Sequence, residues 1–142
     1  IMKFNGTDWV NLGNAGAFEV GNASSEIRVS GGTAYAIFDT SSGIGVKTFD
    51  GTNWVSVGTL SSGQSYEISS AIYDGTLYIY DNATYSVRKY NGSSWVTLGD
   101  AYFASPSFPR LAIDQSTGKV YLGFRDFGQG QNQKNTVMSF GN

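Results

Sequence analysis

Short runs of alternating apolar and polar residues, separated by turn residues, recur along this chain in a fixed order. In the first complete unit these runs cover residues 26–30, 33–39, 45–49 and 53–58. The second unit repeats them at 66–73, 76–81, 85–90 and 94–99, and the third repeats the first three at 110–114, 119–126 and 135–140. Alternation over such lengths is typical of half-buried strands. Each unit is therefore predicted to be a four-stranded antiparallel meander, and the chain to be all-β.

A seven-residue phrase marks the turn between the third and fourth strands of a unit: an aromatic residue, Asn or Asp, Gly, two polar residues, Trp and Val. It occurs three times, with its tryptophan at Trp9, Trp54 and Trp95. The tryptophans are 54 − 9 = 45 and 95 − 54 = 41 residues apart. Repeats of about 40–45 residues fit one four-stranded blade of a β-propeller. A near-fourth copy, residues 137–142, stops before its tryptophan.

The glycine of each phrase predicts a tight hairpin turn. Gly6, Gly51 and Gly92 follow Asn or Asp, and such pairs supply the positive φ angles that a two-residue hairpin loop requires. The tryptophans are interpreted as wedges that pack against the next blade. The alternative is that they are stacking platforms for a sugar or a base.

The whole chain, 1–142, is predicted to be one propeller domain. Its blades span approximately 24–58, 66–99 and 108–140, and the last is completed by 1–13. Three blades are too few, because propellers have about four to eight. We therefore expect two chains to close a six-bladed ring, a homodimer with strand exchange between termini. The alternatives are a fragment of a larger propeller, natural or engineered, and continued exchange into an open polymer.

The amino-acid composition argues against several classes of function. The chain has no cysteine and no histidine, which removes thiolate and imidazole chemistry. We expect no enzyme activity, no cofactor and no metal. A net charge of −2 with 14% charged residues leaves no basic patch for nucleic acid. No apolar run reaches the length of about 18 residues that spans a membrane, and residues 1–4 are interpreted as a repeat strand, so any secretion signal has been removed.

Aromatic and acidic residues recur where the second strand of each unit ends. They are Phe38, Asp39, Tyr80, Asp81, Phe124, Arg125 and Asp126. Exposed aromatic faces beside fixed polar groups suit sugars, and repetition adds avidity. These residues are therefore the candidate ligand-binding set. The same pattern also fits core aromatics, and aspartates that begin turns by bonding nearby amides.

The repeats resemble those of secreted bacterial β-propeller proteins. The shared pattern is T-V-M-K-F-(N/D)-G-x-x-W-V-x-(V/L)-G, followed by a strand ending in x-Y-x-x-(Y/F)-x-D, and it covers nearly the whole chain. The resemblance implies a propeller fold and an extracellular location. Related small-repeat propellers include lectins, which implies a carbohydrate-binding module whose partners are glycans and a second copy of itself. The Asp50–Gly51 spacing departs from the Asp-box of sialidase-like propellers, so the chemistry of that group is not implied.

Two other functions stay open from the sequence. The first is a protein-interaction scaffold that presents the loops 102–109 and 127–134, with Tyr102, Phe103 and Phe108 in the former. The second is a glycan-processing enzyme, which would need a pair of carboxylates. Nothing in the sequence pairs Glu19, Glu26 or Glu67.

Overall fold

The structure is a computed structural model that describes residues 1–14, 16–18, 24–60, 67–102, 104–128 and 134–140. Within these ranges the chain is all-β, as predicted, with thirteen strands and no helix. The strands are β1 (Met2–Phe4), β2 (Trp9–Asn11), β3 (Ser25–Ser30), β4 (Thr33–Thr40), β5 (Gly43–Phe49), β6 (Trp54–Leu60), β7 (Ser70–Tyr73), β8 (Thr76–Asp81), β9 (Ser86–Tyr90), β10 (Trp95–Leu98), β11 (Pro106–Ile113), β12 (Val120–Asp126) and β13 (Lys134–Phe140). No helix in these ranges is long and apolar enough to cross a membrane.

The strands form four antiparallel sheets in chain order. β1 and β2 make the N-terminal hairpin, β3–β6 make sheet I, β7–β10 make sheet II, and β11–β13 make sheet III. Every strand of sheets I to III pairs with the next along the chain, as the predicted meander requires. Among the described residues sheet III has three strands, with β13 at its edge. Residues 141–142, which follow it, lie outside the described residues, as do Tyr66, Glu19 and Phe103. Closure of the sheets into a ring stays a prediction.

Apolar clusters fill the space between successive sheets. Sheet I packs against Leu12, Ala17 and Phe18 through Ala36, Phe38 and Trp54. Ile37 and Ile79 belong to the cluster that sheets I and II share, and the cluster between sheets II and III holds the residues Tyr78, Tyr80, Val87, Ile113, Val120, Leu122 and Phe124. Alternate residues of β4 and β8 enter the clusters on either side. Both faces of these two strands are therefore buried, which explains their nearly continuous apolar sequence.

One kind of contact recurs between successive sheets: an aromatic ring lies against a glycine of the preceding sheet or hairpin. Trp54 covers Gly13 so closely that a Cβ there would lie 2.9 Å from its Cδ1 atom. A Cβ at Gly58 would lie 3.3 Å from Nε1 of Trp95. Trp54 also donates from Nε1 to the carbonyl oxygen of Leu12, at 2.8 Å. Two of the three repeated tryptophans thus lie between sheets, whereas Trp9 is 65% exposed.

The Asn–Gly and Asp–Gly turns differ from the prediction. Gly6, Gly51 and Gly92 have the expected positive φ, at 107°, 104° and 97°. The residue before each glycine does not, and the loops hold four residues rather than two, as in the pairing of Phe49 with Trp54. The side chain before the glycine explains the difference: Asp50 Oδ1 accepts the amide hydrogens of residues 52 and 53, at 2.8 and 2.7 Å. This Asx-type bonding stabilises the wider turn.

We expect Trp54→Ala to lower the free energy of unfolding by about 3–5 kcal/mol, because it opens a cavity between sheets and removes the bond to Leu12. Denaturant unfolding followed by circular dichroism measures this. Val29→Ala, at a side chain that is 65% exposed, is the control and should change stability by less than about 1 kcal/mol. Equal losses in the two variants would contradict the packing role.

The turn after β11 predicts a pH dependence. The Asp114 carboxylate accepts hydrogen bonds from Ser116 and Thr117, and these bonds lower its pKa from 3.8 to about 2. The stabilisation is therefore present above pH 3.8 and is lost as the pH falls through about 2. We expect the difference in unfolding free energy between the native chain and Asp114→Asn to shrink over this window. A difference that stays constant across it would contradict the prediction.

Candidate functional site

The aromatic residues predicted to bind a ligand are buried. Phe38, Tyr80 and Phe124 lie near the ends of β4, β8 and β12 and are 8%, 0% and 5% exposed. The expectation that they are exposed is wrong, because the neighbouring sheets cover the faces of the central strands on which they lie. Phe38 lies in one cluster and the other two share a second. Their assignment as ligand-binding residues stays a prediction, and their packing fits the core alternative.

The three aspartates at the same strand ends are also buried, and each bonds nearby groups. Asp39 Oδ1 accepts from the amide of Ser24 at 3.1 Å, and Asp126 Oδ1 accepts from that of Gly128 at 2.8 Å. Asp81 accepts from the amide of residue 83 at 3.1 Å and pairs with Nε of Arg88 at 3.3 Å. The carboxylates thus organise the connections around them. Within the described residues no three acidic side chains form a group that could hold a metal ion.

Arg125, the remaining residue of the predicted set, points away from the cores. It is exposed, and its guanidinium carbon lies 5.3 Å from the ring centre of Phe127. This is a cation–π arrangement on the surface. Arg125 therefore lies on the surface, whereas its sequence neighbour Phe124 is buried.

An open cleft lies where the first strands of sheets I, II and III meet. Its volume is about 610 Å³. The residues that line it come from the start of β3, from the segment before β7 and from β11: Ser24, Ser25, Glu26, Glu67, Ile68, Phe108 and Arg110. The cleft therefore combines two carboxylates, a guanidinium and one aromatic ring.

Polar bonds hold the sheet I side of the cleft. Glu26 Oε2 accepts from Nη2 of Arg28 at 3.0 Å and from the hydroxyl of Ser70 at 2.5 Å. Arg28 in turn donates from Nε and Nη2 to the carbonyl oxygen of Ser70, at 3.1 and 2.9 Å. These bonds join β3 to β7, two strands that share no β-ladder. They fix the orientation of the Glu26 carboxylate.

The opposite side of the cleft contains an irregular backbone. β11 has one extra residue against β12 between Ser107 and Arg110, a β-bulge of the kind that redirects a side chain. Within it Phe108 has a φ of 54° and is 59% exposed. A bulky residue at positive φ is strained. Glu67 stabilises this conformation, since its Oε2 accepts the amide hydrogen of Phe108 at 2.9 Å.

A buried hydroxyl lies close to the Glu67 side of the cleft. Burial raises the pKa of Tyr80, and the charges of Tyr85, Glu67 and Asp81 raise it further. Tyr80 therefore keeps its proton at neutral pH. Its hydroxyl is fully enclosed and finds no hydrogen-bond partner among the described residues.

The sequence contains a signal for this cleft that the strand pattern alone does not reveal. A Glu–Ile pair occurs at or just before the first strand of two units: Glu26 lies in β3, and Glu67 lies three residues before β7. Because the first strands of successive sheets lie side by side, both carboxylates reach the same cleft. In the third unit β11 contributes Phe108 and Arg110 to the cleft.

The cleft provides hydrogen-bond acceptors, donors and one exposed ring on a rigid sheet framework. No protein-family model, no curated protein and no solved structure matches this chain.

Proposed function

We propose that this protein is a non-catalytic carbohydrate-binding module whose site is the cleft between the first strands. The observation that carries the proposal is Phe108, an exposed ring that Glu67 holds in a strained backbone conformation beside polar groups. Strain of this kind persists only where the surrounding structure maintains it, and it is concentrated at functional sites.

The chemistry of the cleft suits a short saccharide. An aromatic face packs against the C–H surface of a sugar ring. The Glu26 and Glu67 carboxylates accept bonds from hydroxyl groups, and the Arg110 guanidinium donates to ring and hydroxyl oxygens. The volume of about 610 Å³ lies within the range of about 300–1,000 Å³ that is usual for small-molecule sites.

We further propose that the sheets are blades of one propeller domain, which two chains complete as a six-bladed ring outside the cell. The recurring contact between successive sheets supports this, because Trp54, Trp95 and Phe140 each pack on a glycine of the sheet or hairpin before their own. The first strands also lie next to one another, as the innermost strands of a propeller do. A ring would present two copies of the cleft, which adds avidity.

A protein-interaction scaffold is the second candidate, and the exposure of two aromatic residues favours it. Tyr102 is 66% exposed and Phe108 is 59% exposed. Exposed aromatic residues are enriched at protein interfaces. Binding of a protein partner that needs Tyr102 as well as Phe108, with no binding of saccharides, would support this candidate over the first.

We expect Phe108→Ala to weaken saccharide binding at least tenfold, about 1.4 kcal/mol, because the sugar loses its apolar face. A glycan array identifies the saccharide, and titration calorimetry measures the change in affinity. Phe127→Ala is the matched control, since Phe127 is an exposed ring outside the cleft. No binding to any common saccharide, or an equal loss in the control, would contradict the proposal.

We expect Phe108→Gly to increase the stability of the fold and to abolish the contact between the Phe108 ring and the saccharide. Glycine adopts positive φ freely, so the change relieves strain of about 1 kcal/mol. Thermal unfolding measures the gain, and the same titration measures the loss of affinity. A clear fall in melting temperature would show that the ring of Phe108 stabilises the fold and is not retained for binding.

A further inference from the structure

Three aromatic residues share the left-handed backbone conformation of Phe108 or adopt it with her neighbours removed from the cleft.

Discussion

The arrangement of the sheets depends on an aromatic ring that lies against a glycine of the preceding sheet or hairpin. Glycine is favoured at these places because Gly13, Gly58 and Gly99 all have positive φ, and because a Cβ would collide with the ring at Gly13 and lie tightly against it at the other two. The bond from Trp54 to the Leu12 carbonyl joins sheet I to the segment that follows the N-terminal hairpin. Apolar clusters then fill the remaining space, so that the glycine contacts set the geometry and the clusters supply most of the stability.

The first strands of sheets I, II and III are held to one another by polar bonds. β3, β7 and β11 belong to different sheets, and side chains that bond to main-chain groups cross from one to the next. Arg28 reaches the carbonyl of Ser70, the hydroxyl of Ser69 accepts the amide of Leu111, and Glu67 reaches β11 in the same way. These polar bonds leave the strands separated enough for a cleft. The cleft and the cross-links therefore use some of the same side chains.

The strands and their order were predictable because alternation and turn residues act locally. The candidate cleft was not predictable, because the exposure of a side chain depends on which other sheet covers its strand. Tyr80 has the residue type and position expected of a rim ligand, yet the neighbouring sheet buries it completely. Phe108 looks like an ordinary loop aromatic, and its strained backbone follows from a carboxylate 41 residues earlier in the chain. The turn at Asp50 was predicted in part. Its glycine was correctly predicted to have a positive φ, but the hydrogen bonds of the aspartate side chain stabilise a wider loop than expected.

The sharing of clusters only between neighbouring sheets has a consequence for how the molecule opens. Among the described residues each apolar cluster joins neighbouring units of the chain, as in repeat proteins whose stability is a sum of unit and interface terms. Among the described residues sheet II has a cluster on each face, whereas sheet III has one. We therefore expect the amides of β8 to exchange with solvent more slowly than those of β13.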